Sequence, residues 1–171
     1  MGFWYQARWS KACLSSAKGF SHIEGIDYKE LFSPVVRYES VRIIFALIAL
    51  EHWHMEVVDV KTAFLYGKLD KGIYMQQPEG FVEKGNEKRV YWLNCAIYRL
   101  KQAALAWWKE LEALMKWLGF THFHSDAGVF HHKRLNIVVI AHIYDCVFTG
   151  KDQSQILKVK NNLWRLGNAK T

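Results

Sequence analysis

An α+β fold, an antiparallel sheet with helices packed on one face and the other face open, is the architecture the sequence predicts. Three observations predict it. Val41, Ile44, Phe45, Ile48 and Ala49, and later Ala104, Trp107, Trp108, Leu111, Leu114, Met115 and Leu118, recur at three- and four-residue steps, the period of an amphipathic helix. Short β-branched and aromatic runs lie between and after them in hairpin-like pairs. No linker, repeat or low-complexity segment interrupts the 171 residues, so one domain over 1–171 is expected.

The elements follow in order. Trp9 to Phe20 reads as a strand ending at Gly19, and Glu24-Gly25-Ile26-Asp27-Tyr28 has the glycine and aspartate of a loop. Pro34 disfavours helix in the residue before it, so Phe32 to Val36 is expected to be extended. A helix follows from Glu39 to His52, with Glu39 at the positive end of its dipole. His54 to Asp59 reads as a strand, Thr62 to Leu65 as a short segment, and Gly67 as a turn. Ile73-Tyr74-Met75 and Val90-Tyr91-Trp92-Leu93 are the arms of a hairpin with a long loop around Pro78-Glu79-Gly80. Gln102 to Leu118 is the strongest helix, with Lys109, Glu112 and Lys116 on its polar face and Gly119 at its C-terminal cap. After Val129 to His132 and a turn at Lys133 to Asn136 comes a second hairpin. Every residue of its first arm, Ile137 to Ala141, is apolar, so neither face of that strand stays wet, which suits the middle of a covered sheet. Asp152 as N-cap, with Gln155 three residues on, starts a last helix that Gly167 ends.

Net charge +7 and a pI near 9.3 favour a polyanionic partner such as nucleic acid. Cys13, Cys95 and Cys146 have no paired spacing, which argues against a disulfide framework or a cysteine zinc site and fits a reducing compartment. His52-x-His54, His122-x-His124 and His131-His132 lack further ligands at standard spacing and read as surface or core histidines. No apolar run has the length of a membrane span, and the N-terminus lacks a signal-peptide layout. An intracellular, soluble protein without a membrane partner is expected.

The break in the apolar run at Tyr144-Asp145 reads as the hairpin tip, which lifts one carboxylate to the sheet edge. Asp59, at the end of its own short strand, is the best second carboxylate. Two strand-end carboxylates sharing divalent ions form the arrangement of two-metal phosphoryl transfer, although an isolated aspartate in a turn is more often only a turn former. An open sheet face bearing such a pair is compatible with a polymerase palm.

Several motifs carry a resemblance. Glu24 to Tyr28 with Phe32 to Ser40 reads EGIDY…FSPVVRYES, Asp59 to Gly67 reads DVKTAFLYG, Met75 to Phe81 reads MQQPEGF, and Tyr98 to Ala103 reads YRLKQA. Over about Lys11 to Gly150 this resembles the reverse transcriptase domain of copia-type LTR retrotransposons. The resemblance implies a polymerase palm with partial fingers, RNA-directed DNA synthesis, an RNA or DNA template-primer and deoxynucleoside triphosphates as partners, and Mg2+ as cofactor. It implies that Asp59 and Asp145 are catalytic metal ligands, joined by the Val60 carbonyl. It further implies that Phe64 blocks a nucleotide 2′-hydroxyl, that Gln102 and Ala63 lie at the incoming nucleotide, and that Lys11 belongs to fingers over the triphosphate. Read without it, Phe64 is core, Gln102 a polar helix start and Lys11 a solvated charge.

The departures from that family are as informative. Its hairpin tip reads Y-V-D-D, followed five residues after the second aspartate by glycine. Counting back from Gly150 makes Asp145 the second aspartate and puts Tyr144 in place of the first, the metal-binding one. A phenol with a pKa of about 10 supplies no charge to a cation at neutral pH. A shifted register would instead make Asp145 the first and Cys146 the second. Cys13 and one extra residue disturb the fingers motif, and Arg99, Ala104 and Leu105 replace glycine, proline and arginine around Gln102. A shortened closing segment, with no thumb or RNase H region, completes the expectation of a decayed, truncated copy. Two readings stand: a reverse transcriptase fragment, and a non-catalytic remnant that binds nucleic acid.

Overall fold

The structure, a computed structural model, describes residues 17, 19, 22–26, 28–78 and 80–168, with side chains through residue 162. The strand expected from Trp9 to Phe20 lies outside them apart from Ala17 and Gly19. The chain divides into two compact units, one of residues 1–32 and 62–110, the other of residues 33–61 and 111–171. Among the described residues, no helix is long and apolar enough to cross a membrane.

The second unit is built on a five-stranded antiparallel sheet. Its strands are β1 (His54–Asp59), β4 (Thr121–His122), β5 (Val129–His132), β6 (Ile137–His142) and β7 (Asp145–Gly150), in the order β1-β7-β6-β5-β4. The apolar run is β6, and it is buried on both faces as its composition requires, with Val139 and Ile140 at 0% and 2% exposure. On one face Val129, Val138, Ile140 and Val147 pack against Val41, Ile44 and Ile48 of α1 (Tyr38–Glu51). On the other, alternation turns Glu56 toward α3 (Gln153–Asn168), where Lys160 pairs with it at 2.7 Å. Helices therefore lie on both faces, which corrects the expectation of an open one. The stripe of α1 needs an apolar surface, and β5, β6 and β7 offer one. That cover is partial: Met55 and Val57 of β1 remain 48% and 56% exposed.

Two local devices position these elements. Arg37, the N-cap residue of α1, makes no side-chain cap. Its N–H instead donates at 2.9 Å to Oδ2 of the buried Asp126, whose Oδ1 accepts from the Gly128 N–H at 3.0 Å. A carboxylate remote in sequence thus satisfies the start of α1. The helix α2 (Ala103–Trp117) ends in Gly119 at φ 88°. The Gly119 N–H reaches the Lys116 carbonyl at 3.0 Å and the Phe120 N–H the Met115 carbonyl at 2.9 Å, which is the Schellman closure that left-handed glycine permits. At the start of α3, Asp152 Oδ1 accepts from the N–H groups of Ser154 and Gln155 at 2.8 and 3.3 Å, the predicted N-cap.

The first unit holds the other hairpin, β2 (Lys68–Gln76) with β3 (Val90–Cys95), antiparallel and shifted in register between Lys68 and Ile73. Two strands alone are marginal in water. Ile73 and Leu93 gain their burial against Ala96, Ile97, Leu100 and the first turns of α2 at Ala103 and Ala106. The long hairpin loop closes on Gln77, whose Nε2 donates to the Asn86 carbonyl at 2.7 Å and whose Oε1 accepts from the Glu83 N–H at 2.9 Å. A 3₁₀ turn, Ala63–Tyr66, precedes β2.

Candidate carboxylate site

The register of the sheet brings the two predicted carboxylates together. Pairing of β1 with β7 sets Asp59 directly opposite Asp145, and pairing of β6 with β7 sets His142 opposite Asp145 on its other side. Directly opposed residues hold their Cβ atoms about 4.5–5.5 Å apart on one face. Asp59, Asp145 and His142 are all exposed. Among the described residues, neither carboxylate makes a hydrogen bond or ion pair, and like charges set directly opposite repel.

The turn between β6 and β7 is Ile143-Tyr144, so Asp145 opens β7 rather than standing at the tip itself. Ile143 has φ 55°, a conformation that a β-branched residue adopts only at a cost of about 1–2 kcal/mol. The turn holds because its far side is tied: the Val60 N–H donates to the Tyr144 carbonyl at 3.0 Å. The backbone just after Asp59 is thereby fixed to the hairpin tip, and the Tyr144 phenol is 37% exposed beside it.

Cys146 takes no part in this face. It points to the opposite side of β7 with 0% exposure, and burial, with Asp145 adding to it, pushes its thiol up to about 12. The shifted register would make Asp145 the first aspartate and put this buried thiol, turned to the other face by the alternation of the strand, in the position of the second. Cys146 is expected to resist thiol alkylation at pH 8 while the chain is folded and to react once it is unfolded. Mass-spectrometric mapping of labelled peptides checks this.

The remaining predicted residues lie elsewhere. Ala63 is 1% exposed, and Phe64 packs against the core of the first unit, edge-on to Tyr98 at 5.3 Å. Gln102 precedes α2, with its Oε1 buried and without a protein partner. Lys11 lies outside the described residues. The histidine pairs serve local packing: His132 Nδ1 accepts from the Leu135 N–H at 3.1 Å, and His122 lies 3.3 Å from Glu112.

Two hard oxygen donors on neighbouring strands suit a magnesium-class ion, which keeps several waters and takes one or two carboxylates. Among the described residues, no three His, Cys, Asp or Glu side chains gather to hold a metal. The pair thus fits one such ion in part. Sequence reasoning found both aspartates but missed His142. The signal was available, since residues flanking a two-residue turn face each other.

Fold and site define an α+β domain that opposes two strand-end carboxylates at the rim of an antiparallel sheet. The chain belongs to the reverse transcriptase family of copia-type retrotransposon Pol polyproteins: residues 5–168 match the family described as reverse transcriptase (RNA-dependent DNA polymerase). It is 41% identical over 150 residues to the retrovirus-related Pol polyprotein from transposon TNT 1-94 of Nicotiana tabacum, covering 85% of this chain and 11% of that one. Identity is 37% over 149 residues to the polyprotein from transposon RE1 of Arabidopsis thaliana, covering 86% of this chain and 10% of the relative. With that from transposon RE2 of the same plant it is 39% over 138 residues, covering 80% and 10%. The chain thus spans about a tenth of the length of these relatives. No solved structure matches it. The family implies a divalent metal, a nucleic-acid template and deoxynucleoside triphosphates.

Proposed function

We propose that this chain is a polymerase palm with partial fingers whose nucleotidyl transfer is disabled at the carboxylate site. The observation that carries the proposal is the opposition of Asp59 and Asp145 with a phenol, Tyr144, in the β6–β7 turn that immediately precedes Asp145. Asp59, Asp145 and the Val60 carbonyl would hold Mg2+, which when bound polarises phosphoryl oxygens. The chain's own part is to fix the two carboxylates through paired strands, and to tie the residue after Asp59 to the hairpin tip. Lys11, Ala63, Phe64 and Gln102 are the proposed nucleotide contacts. With one anionic ligand missing, the transfer step loses charge stabilisation worth several kcal/mol, about a thousandfold in rate.

The net charge of +7 favours a second reading, a remnant that binds nucleic acid without catalysis. Retention on single-stranded nucleic acid that weakens steeply with salt supports it; absent or salt-independent retention removes it. For the first reading, the purified chain with Mg2+ is expected not to extend a primer on an RNA template. Extension that disappears in Asp59→Asn would show that the site works as it stands.

A further inference from the structure

We propose that the outer edge of β1 pairs with the same edge of a second copy of this chain, joining two five-stranded sheets into one. Among the described residues β1 and β4 are the edges of the sheet, and they differ. β4 has two residues, and shortness is itself a protection against pairing. β1 has six, matches β7 residue for residue, and contains neither lysine nor proline. Such an edge is open to another strand. The direction of its backbone groups follows from the ladder: the Val60 N–H donates to the Tyr144 carbonyl at 3.0 Å, so the even-numbered residues turn their N–H and C=O groups toward β7. Met55, Val57 and Asp59 therefore turn theirs outward. The side chains of Met55 and Val57, 48% and 56% exposed, flank that row.

A second copy fits because this strand complements itself. A twofold axis perpendicular to the sheet and passing between the two Glu56 residues sets Met55 of each copy opposite Val57 of the other. Both positions present outward backbone groups, so each pair closes two hydrogen bonds and lays its side chains on one face. The four side chains make a single apolar patch on the face whose cover by α1 stops at β7. Charge agrees with this register. Each Glu56 carboxylate already holds Lys160 of its own copy at 2.7 Å, so their meeting at the axis alternates two negative groups with two positive ones. A slip of one residue would pair outward groups with inward ones and swap the faces. A slip of two either sets Asp59 against Met55 or shortens the ladder. The pairing requires no metal and stands apart from nucleotidyl transfer.

Sedimentation equilibrium of the full chain over a wide concentration range, without added metal, is expected to show a monomer in equilibrium with a dimer. Val57→Lys puts a charge on the edge and leaves the ladder to β7 intact, so it should raise the dissociation constant about tenfold or more. Its melting temperature at concentrations where the parent is monomeric should match the parent; Met55→Lys is the second variant if it does not. Glu56→Cys places a thiol at the axis, where opposed Cα atoms of a pair without mutual hydrogen bonds lie about 4.5 Å apart, within reach of a disulfide. On oxidation it should give a covalent dimer that the parent does not form. Ile43→Cys, on the outward side of α1 at 62% exposure, should give none. A monomer at every concentration, a dimer that both lysine variants leave unchanged, open-ended aggregates, or a link at residue 43 in place of residue 56 overturns the proposal.

Discussion

Replacing Tyr144 by aspartate is expected to raise primer extension on an RNA template by on the order of a thousandfold. The substitution adds a negative charge and removes an aromatic ring at an exposed turn position. Tyr144 lies in a two-residue turn whose carbonyl already receives the Val60 N–H at 3.0 Å, so the backbone that would present the new carboxylate is in place. Its phenol is partly exposed, so its removal opens no core cavity. The rate is not the only readout. A third carboxylate beside Asp59 and Asp145 increases repulsion in the metal-free chain, so the Tyr144→Asp protein should melt lower than the parent without Mg2+. It should then gain more from the ion, since a ligand at a hundred times its dissociation constant adds about 2.7 kcal/mol to stability. A magnesium-dependent thermal shift larger in the variant than in the parent, with extension, places the defect at residue 144. Equal shifts and no extension move the defect away from this turn.

How much of this was legible in the sequence depends on whether the deciding contact is local. The run Ile137 to Ala141 announced a strand covered on both faces, because alternation leaves no polar side. The stripe Val41, Ile44, Ile48 announced a helix, but a stripe does not say which sheet face will receive it, and α1 and α3 lie on opposite faces where helices on only one were expected. Asp59 and Asp145 were recognisable as strand-end carboxylates, and the motif resemblance joined them. Their direct opposition depends on pairing between β1 and β7, which no local pattern encodes. Asp145 was expected at the tip, and the register moves it to the first position of β7. Asp126 left no sequence signal at all, since its partner Arg37 is 89 residues away.

Asp126→Ala is expected to destabilise the second unit by about 2–4 kcal/mol, because it strands two backbone donors at once. Asp126 is 7% exposed, and its two oxygens hold different segments, with Oδ2 accepting from the Arg37 N–H at the entry to α1 and Oδ1 from the Gly128 N–H before β5. A hydrogen bond to a charged acceptor contributes about 1.5–3 kcal/mol. The two segments approach closely at this point, since a Cβ placed on Gly128 would stand 2.5 Å from the Val36 backbone nitrogen. Thermal unfolding should fall by on the order of 10 °C, and the amides of Arg37 and Gly128 should lose hydrogen-exchange protection before those of β6. Asp126→Asn retains one acceptor oxygen and turns an NH2 group on the other donor, so its loss should lie between zero and that of alanine. A change below about 0.5 kcal/mol in the alanine variant, the range of ordinary surface substitutions, would mean that α1 is held by its apolar stripe alone.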